Sequence, residues 1–286
     1  MSKRNLGRIS WLFSCLGLGA VAYASIQPTE EPLLFPPRPE GPLDLRPESM
    51  ARDIATLGDE DPAARGAAEA RLFWAGEAAR DSLRRAAKGA GLRTEAAARE
   101  FLRLLDRAAS LKPSSFGVKL RGYAYVGSKV RDREALGGYW ASAYLPGPVP
   151  GYVRVRPGGV RVVARIDDLT GFRGRYRGMR VLVVNAGRER VSFDAQDSRI
   201  DLLQEARVEK GEWKPIEYLP SSWCGNSYHR VFLDPGECWT LSAPRYEGVL
   251  RARFRLRLDR RGEPPVYSEE FEGSVNPEQF TKEEEH

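Results

Sequence analysis

The chain has 286 residues, with 45 Lys and Arg against 39 Asp and Glu, two histidines and a formal charge of +6. Three of the basic residues, Lys3, Arg4 and Arg8, precede an apolar run that ends in a cleavage pattern; taking 3 from 45 leaves 42 against 39, or +3. A surface so close to balance exerts no global field toward nucleic acid, and the length is enough to bury a sizeable core.

Residues 1–24 are expected to be a signal peptide. The basic start leads into "ISWLFSCLGLGAVAYA", which ends in the small-x-small pattern Ala22-Tyr23-Ala24. The run is shorter than the ~20 apolar residues of a spanning helix, and no later segment is apolar enough to span. Export to the periplasm or the outside follows. The alternative is an uncleaved N-terminal anchor, which would then be the chain's one membrane contact. Residues 25–48 hold seven prolines, Pro28 through Pro47. Proline favours extended backbone and lacks a donor, so this stretch is expected to be a semi-rigid tether, with Leu33–Phe35 docking on the segment that follows.

Residues 49–112 are dense in Ala, Leu, Arg and Glu. Met50–Leu57 predicts a short first helix. Asp61-Pro62 is a capping side chain followed by proline at the first helical position, and Gly76 ends that helix. Glu77–Lys88 predicts a third helix, closed by Gly89 and Gly91. Thr94 is the expected cap of a fourth, whose Ala97, Phe101, Leu104, Leu105 and Ala108 share one face. Phe73, Trp74, Phe101 and Leu105 are expected in a core. Asp61-Pro62, the Ala/Arg helix, the Gly76-Glu77-Ala78-Ala79 turn and the Leu83 helix together resemble the HEAT-like helical hairpins of secreted bacterial proteins. That resemblance implies a protein-binding or adaptor role. The segment is too short for a self-sufficient array, so it must pack against another part of the chain or a partner.

Over residues 115–276 the period changes to two. Lys119–Val126, Val160–Ile166, Arg180–Val184, His229–Leu233, Trp239–Ser242 and Val249–Leu258 are expected strands. Arg156-Pro157-Gly158-Gly159, Asn185-Ala186-Gly187, Glu209-Lys210-Gly211 and Asp234-Pro235-Gly236 are the turns between them. Short strands at this spacing suggest an all-β sandwich. "VLVVNAGRERVSFD", Val181 to Asp194, resembles the strand–turn–strand of immunoglobulin-like domains, which implies a fold and no activity. Residues 277–286 form a charged C-terminal tail. The expected class is therefore α+β multidomain, a small HEAT-like helical domain plus an all-β immunoglobulin-like sandwich.

"SSWCGNSYHRVFLDPGECW" carries the densest chemistry. Once Cys15 leaves with the signal, Cys224 and Cys238 remain, and an isolated pair in an oxidising compartment predicts a disulfide. A strand and a turn separate them, which can return the chain to its start. A zinc site from Cys224, His229 and Cys238 lacks paired CxxC spacing and a fourth ligand. A Cys224 nucleophile with His229 as base would be quenched by Cys238. Trp223, Asn226 and Tyr228 form a candidate sugar- or peptide-binding loop; the competing role for Trp223 is to cover the disulfide. Asp194, Asp197 and Asp201 offer oxygens for calcium but fit a turn-shaping role better.

Arg251, Arg253, Arg255 and Arg257 alternate on one strand face, with Glu270 and Glu272 placed to neutralise them. No phosphate loop, dinucleotide fingerprint, G-x-S-x-G elbow or HExxH occurs. These patterns predict no catalytic residues, no metal and no cofactor. The expected function is a non-enzymatic exported envelope protein that acts as a protein-interaction or scaffolding module. Its partner would be a protein or cell-envelope component and not nucleic acid. The alternative is a carbohydrate-binding module or a hydrolase using carboxylates, which have no fixed local spacing.

Overall fold

A computed structural model describes residues 33–129, 144–209, 211–219 and 228–284. Among these are four α-helices and several sheets, mostly antiparallel and none of them closed, so the chain is α+β. No described helix is long and apolar enough to cross a membrane.

The helices are α1 (Pro47–Thr56), α2 (Pro62–Ala75), α3 (Glu77–Ala86) and α4 (Leu92–Ala109). Asp61 caps α2 as expected, its carboxylate accepting from Ala63 N at 2.9 Å. Gly76 ends α2 at φ 56°, a conformation that costs glycine little. The cap of α4 is Gly91, at φ 88°, and not Thr94, which falls inside the first turn. The glycine backbone reaches the entry angle without help from a side chain, so the helix starts earlier than the capping residue suggests. Met50, Ile54, Leu72, Phe73, Leu83, Phe101 and Leu105 form one apolar cluster, with Trp74, Ala97, Leu104 and Ala108 packed at its margin.

That cluster is completed from outside the helices. Phe35, from the proline-rich stretch, stacks on Phe73 at 5.0 Å between ring centroids. Trp74 Nε1 donates to Pro36 O at 3.2 Å, and the Arg38 guanidinium lies over the Trp74 ring. Just before it, β1 (Leu33–Leu34) pairs with β4 (Val160–Phe172). One short stretch of chain thus adds a strand to a sheet and a ring to the helical core.

Two larger sheets share the main core. The first has the order β1, β4, β5 (Tyr176–Asn185), β11 (Glu237–Pro244), β3 (Gly147–Pro148). The second has the order β13 (Glu263–Tyr267), β12 (Leu250–Arg260), β7 (Leu202–Arg207), β8 (Lys214–Pro215), and β14 (Phe271–Val275) also pairs with β12. Val181, Val183, Trp239 and Leu241 of the first meet Leu202, Phe254, Leu256 and Leu258 of the second. Two small pairings lie beside them: β6 (Val191–Gln196) with β10 (Tyr228–Leu233), and β2 (Leu120–Arg121) in parallel with β9 (Glu217–Tyr218). Trp239 is wholly buried, and its indole N–H donates to Gly127 O at 2.8 Å, as burial requires.

The run Val181–Val184 is buried on both faces, because Val149, Tyr152, Val153 and Val155 cover the outer side of Leu182 and Val184. The strand–turn–strand around Asn185 forms, but its two strands enter different sheets. β5 lies in the first sheet, whereas β6 pairs with β10. Buried Asn185 holds this crossing, donating to Glu189 O and Leu233 O at 2.8 and 2.9 Å. The C-terminal residues are also tied down: Lys119 N donates to Lys282 O, Glu284 N to Lys119 O, and Gln279 is fully buried.

Candidate functional site

The side chains with the most chemistry gather at one end of the β6–β10 pairing. After β6 the chain reverses through Asp197 and Ser198. Gln196 N donates to Arg199 O and Arg199 N to Gln196 O, both at 2.9 Å. Asp197 and Ser198 have φ of 48° and 67°. Two positive values between such bonds make a two-residue type I′ turn, for which Asn-Gly is the favoured pair. Asp-Ser in that position is strained, because a Cβ crowds the backbone there.

The turn is also buried, with Asp197 at 7% exposure. Residues 123–127 cover it: Val126 N donates to Ser198 O at 2.7 Å, and Ile200 N to Ala124 O at 3.0 Å. Arg199 beside it donates to Gln196 Oε1 at 2.9 Å, and loss of solvent pulls its guanidinium value down. Asp197 Oδ1 has no hydrogen-bond partner among the described residues. A strained, buried, polar turn violates local preference, and such violations gather at functional sites.

Tyr228 stands directly across from Gln196 in the β6–β10 register, and the Gln196 amide donates to its hydroxyl at 3.3 Å. Tyr228 is 56% exposed. His229 pairs with Ala195 and Arg230 with Asp194, whose charges lie 3.9 Å apart. The structure thus brings Tyr228 of the candidate loop beside Asp197; Trp223 and Asn226 lie outside the described residues. Cys224 lies outside them too, and with it the expected pairing. Among the described residues Cys238 has no disulfide partner; its buried sulfur lies 3.7 Å from Pro148 O, and burial pushes its value up. Asp194, Asp197 and Asp201 do not converge: among the described residues, no three His, Cys, Asp or Glu are placed to hold a metal ion.

The arginine face is neutralised more completely than its own strand suggests. Arg253 meets Glu270 and Glu272 at 3.4 and 3.2 Å. Buried Glu205, directly across from Arg255 on β7, takes Arg255 at 2.7 Å and Arg257 at 2.5 Å. The Trp213 ring is covered by the Arg207 and Arg255 guanidinium groups, 4.7 and 4.4 Å from its centroid. A sugar would need that ring face.

Sequence gave no signal for Glu217. It is 1% exposed on β9 and surrounded by neutral donors. Tyr246 Oη donates to Oε1 at 2.7 Å, Gln204 N to Oε2 at 2.8 Å and Gln204 Nε2 to Oε1 at 3.1 Å. Burial outweighs these bonds and pushes the carboxyl up to about 7. Among the described residues Asp201 is the other carboxyl pushed up, by partial loss of solvent against the pull of Arg199. Neither lines the cleft of about 490 Å³ beside Arg65 and Arg93, nor the one of about 320 Å³ beside Arg177 and Tyr246.

Compared with protein-family models, curated proteins and solved structures, the chain matches none of the three.

Proposed function

We propose that the chain is a non-enzymatic, exported envelope protein acting as a protein-interaction or scaffolding module, built from a HEAT-like helical unit locked onto an immunoglobulin-like sandwich. The observation that carries this reading is the buried Asp197-Ser198 turn with exposed Tyr228 beside it. An exposed aromatic ring on a rigid support offers contact area at low entropic cost. The Phe35 anchor supports the scaffolding part, because it makes the helical unit and the first sheet share one linker.

The hydrolase alternative draws little support from the perturbed carboxyls. Glu217 has both oxygens occupied by protein donors and lines neither of the two clefts described above. The sugar-binding alternative rests on Trp223 and Asn226, which lie outside the described residues, and on Tyr228. The test places a photo-crosslinking residue in the full-length chain in cells, as Tyr228→p-benzoylphenylalanine. Leu92, 88% exposed on α4, carries the same change as control. Discrete protein adducts are expected from position 228 and not from position 92. Equal patterns from both, or none from 228, would overturn the reading.

A further inference from the structure

The two sheets meet along one lateral edge and part further along it. β13 packs against β4, whereas β14 and β4 stand apart around the cleft of about 320 Å³. Its apolar lining includes Ile166 and Leu169 from one sheet and Phe254 and Phe271 from the other.

The exposed edges at this side are treated differently. An open strand edge invites pairing with another chain, and proteins blunt it with proline, charge or a bulge. β13 carries Pro264 and Pro265. β14 has no proline, and it pairs only with β12 among the described residues. Its one charge, Glu272, is engaged by Arg253 at 3.2 Å. The inward row of β14 is also interrupted. Between Phe271 and Val275 stands Gly273, where an added Cβ would lie 2.9 Å from the Phe254 ring. The Phe254 ring fills the place a side chain there would take and, with Phe271, presents an apolar wall to the cleft.

Charge marks one end of the cleft. Arg177 faces Glu247 at 3.7 Å, but exposed Arg245 has no acidic partner among the described residues. On the same loop Val249 is 77% exposed.

We propose that this cleft receives an extended segment of a partner protein. The segment adds a strand to β14, sets an apolar side chain against the Phe254 and Phe271 rings in the cleft and brings a carboxylate to Arg245. Main-chain hydrogen bonds supply affinity in such additions, and a pocket for alternate side chains supplies selectivity. The proposal rests on the reading of the chain as an interaction module, but it uses a surface separate from Tyr228.

The test is amide NMR on the full-length chain with a panel of acetylated peptides. Each alternates Thr with Val, Leu or Phe and ends in Asp. Amide changes are expected at residues 271–275 and at Arg245. N-methylation of alternate peptide amides should weaken binding about tenfold, the size of one lost pairing step. Arg245→Glu, an exposed change that leaves the core intact, should weaken the Asp peptides and favour their Lys-ended counterparts. No change at β14 with any peptide would overturn the proposal, as would equal binding of the N-methylated set. Protection of β14 by self-association, seen in sedimentation, would overturn it in favour of a second copy. If position 228 yields no adducts while peptides bind β14, the Tyr228 surface falls and the cleft stands; the reverse result removes the cleft alone.

Discussion

Asp168 and Glu217 are both buried carboxylates, at 0% and 1% exposure, but their partners differ in kind. Asp168 accepts from Arg38 N at 3.0 Å and faces Arg165 and Arg180 at 3.3 and 3.7 Å. Arg180, itself buried, also donates to the Phe35 carbonyl and to Tyr152 Oη. Around Glu217 the hydrogen-bond donors are a tyrosine, a glutamine side chain and a backbone amide, all neutral. One carboxylate is a compensated charge that locks the proline-rich stretch between helices and sheet. The other has no cation bonded to it, so the cheaper state inside the core is the protonated one. The same chemical group is a clamp in one region and a proton-binding site in the other.

The largest effect should come from removing the clamp. Asp168→Asn leaves Arg180 buried without its counter-charge. Breaking one partner of a buried pair costs about 3–5 kcal/mol. Urea denaturation should show that loss, and limited proteolysis should open the segment around Pro36–Pro42. Replacing both partners, as Asp168→Leu with Arg180→Met, should cost much less, because no charge is left unpaired. A single change costing under about 1 kcal/mol would mean that Phe35 packing, and not the ion cluster, holds the junction.

Glu217 should act in the opposite sense, through pH. Its folded-state value of about 7 lies above the ordinary 4.5, so the folded state holds the proton over that interval while the unfolded state releases it. Stability from this group is full below about pH 4.5 and is lost as pH rises through about 7. The loss amounts to about 3 kcal/mol at 1.36 kcal/mol per pH unit. Tyr123 and Tyr246 face the same carboxyl and are pushed well above 10, chiefly by burial, so they stay silent in this window. Comparing urea midpoints of the wild type and Glu217→Gln from pH 4.5 to 8 isolates the contribution. The variant should gain on the wild type as pH rises; a constant difference would show that Glu217 does not titrate there.

The contrast also marks what was legible in the sequence. Helical spacing placed Phe101 and Leu105 in a core, and alternation placed Phe254, Leu256 and Leu258 inside with the arginines outside. These are local signals, set by one element's own period. Phe35 was legible as a docking residue because an apolar triplet stands out among prolines. Asp168 and Glu217 were not, because what buries each comes from segments far away in sequence. Asp168 meets Arg38 across 130 positions, and Glu217 meets Tyr246 across 29. The crossing at Asn185 was missed for a related reason. A turn signal tells where the chain bends, and pairing partners decide which sheet it enters next.

The Asp197-Ser198 turn supplies another buried carboxylate and the smallest expected effect. Asp197 Oδ1 has neither the arginines of Asp168 nor the donors of Glu217 among the described residues. Its charge supports buried Arg199 only as the last of several influences, so a neutral side chain loses little, while the backbone at 197 and 198 favours Asn-Gly. Asp197→Asn with Ser198→Gly should raise stability by about 1 kcal/mol, since glycine removes the Cβ crowding at φ 67° and asparagine tolerates the left-handed region. The same double change should lower the yield of adducts from position 228, because the strained pair would then be retained for contact and not for folding. Urea midpoints and crosslinking yield, measured on the same protein, separate the two effects. A loss of stability would show instead that the Asp197 and Ser198 side chains hold the tip against residues 123–127, and the turn would join Asp168 as a structural clamp.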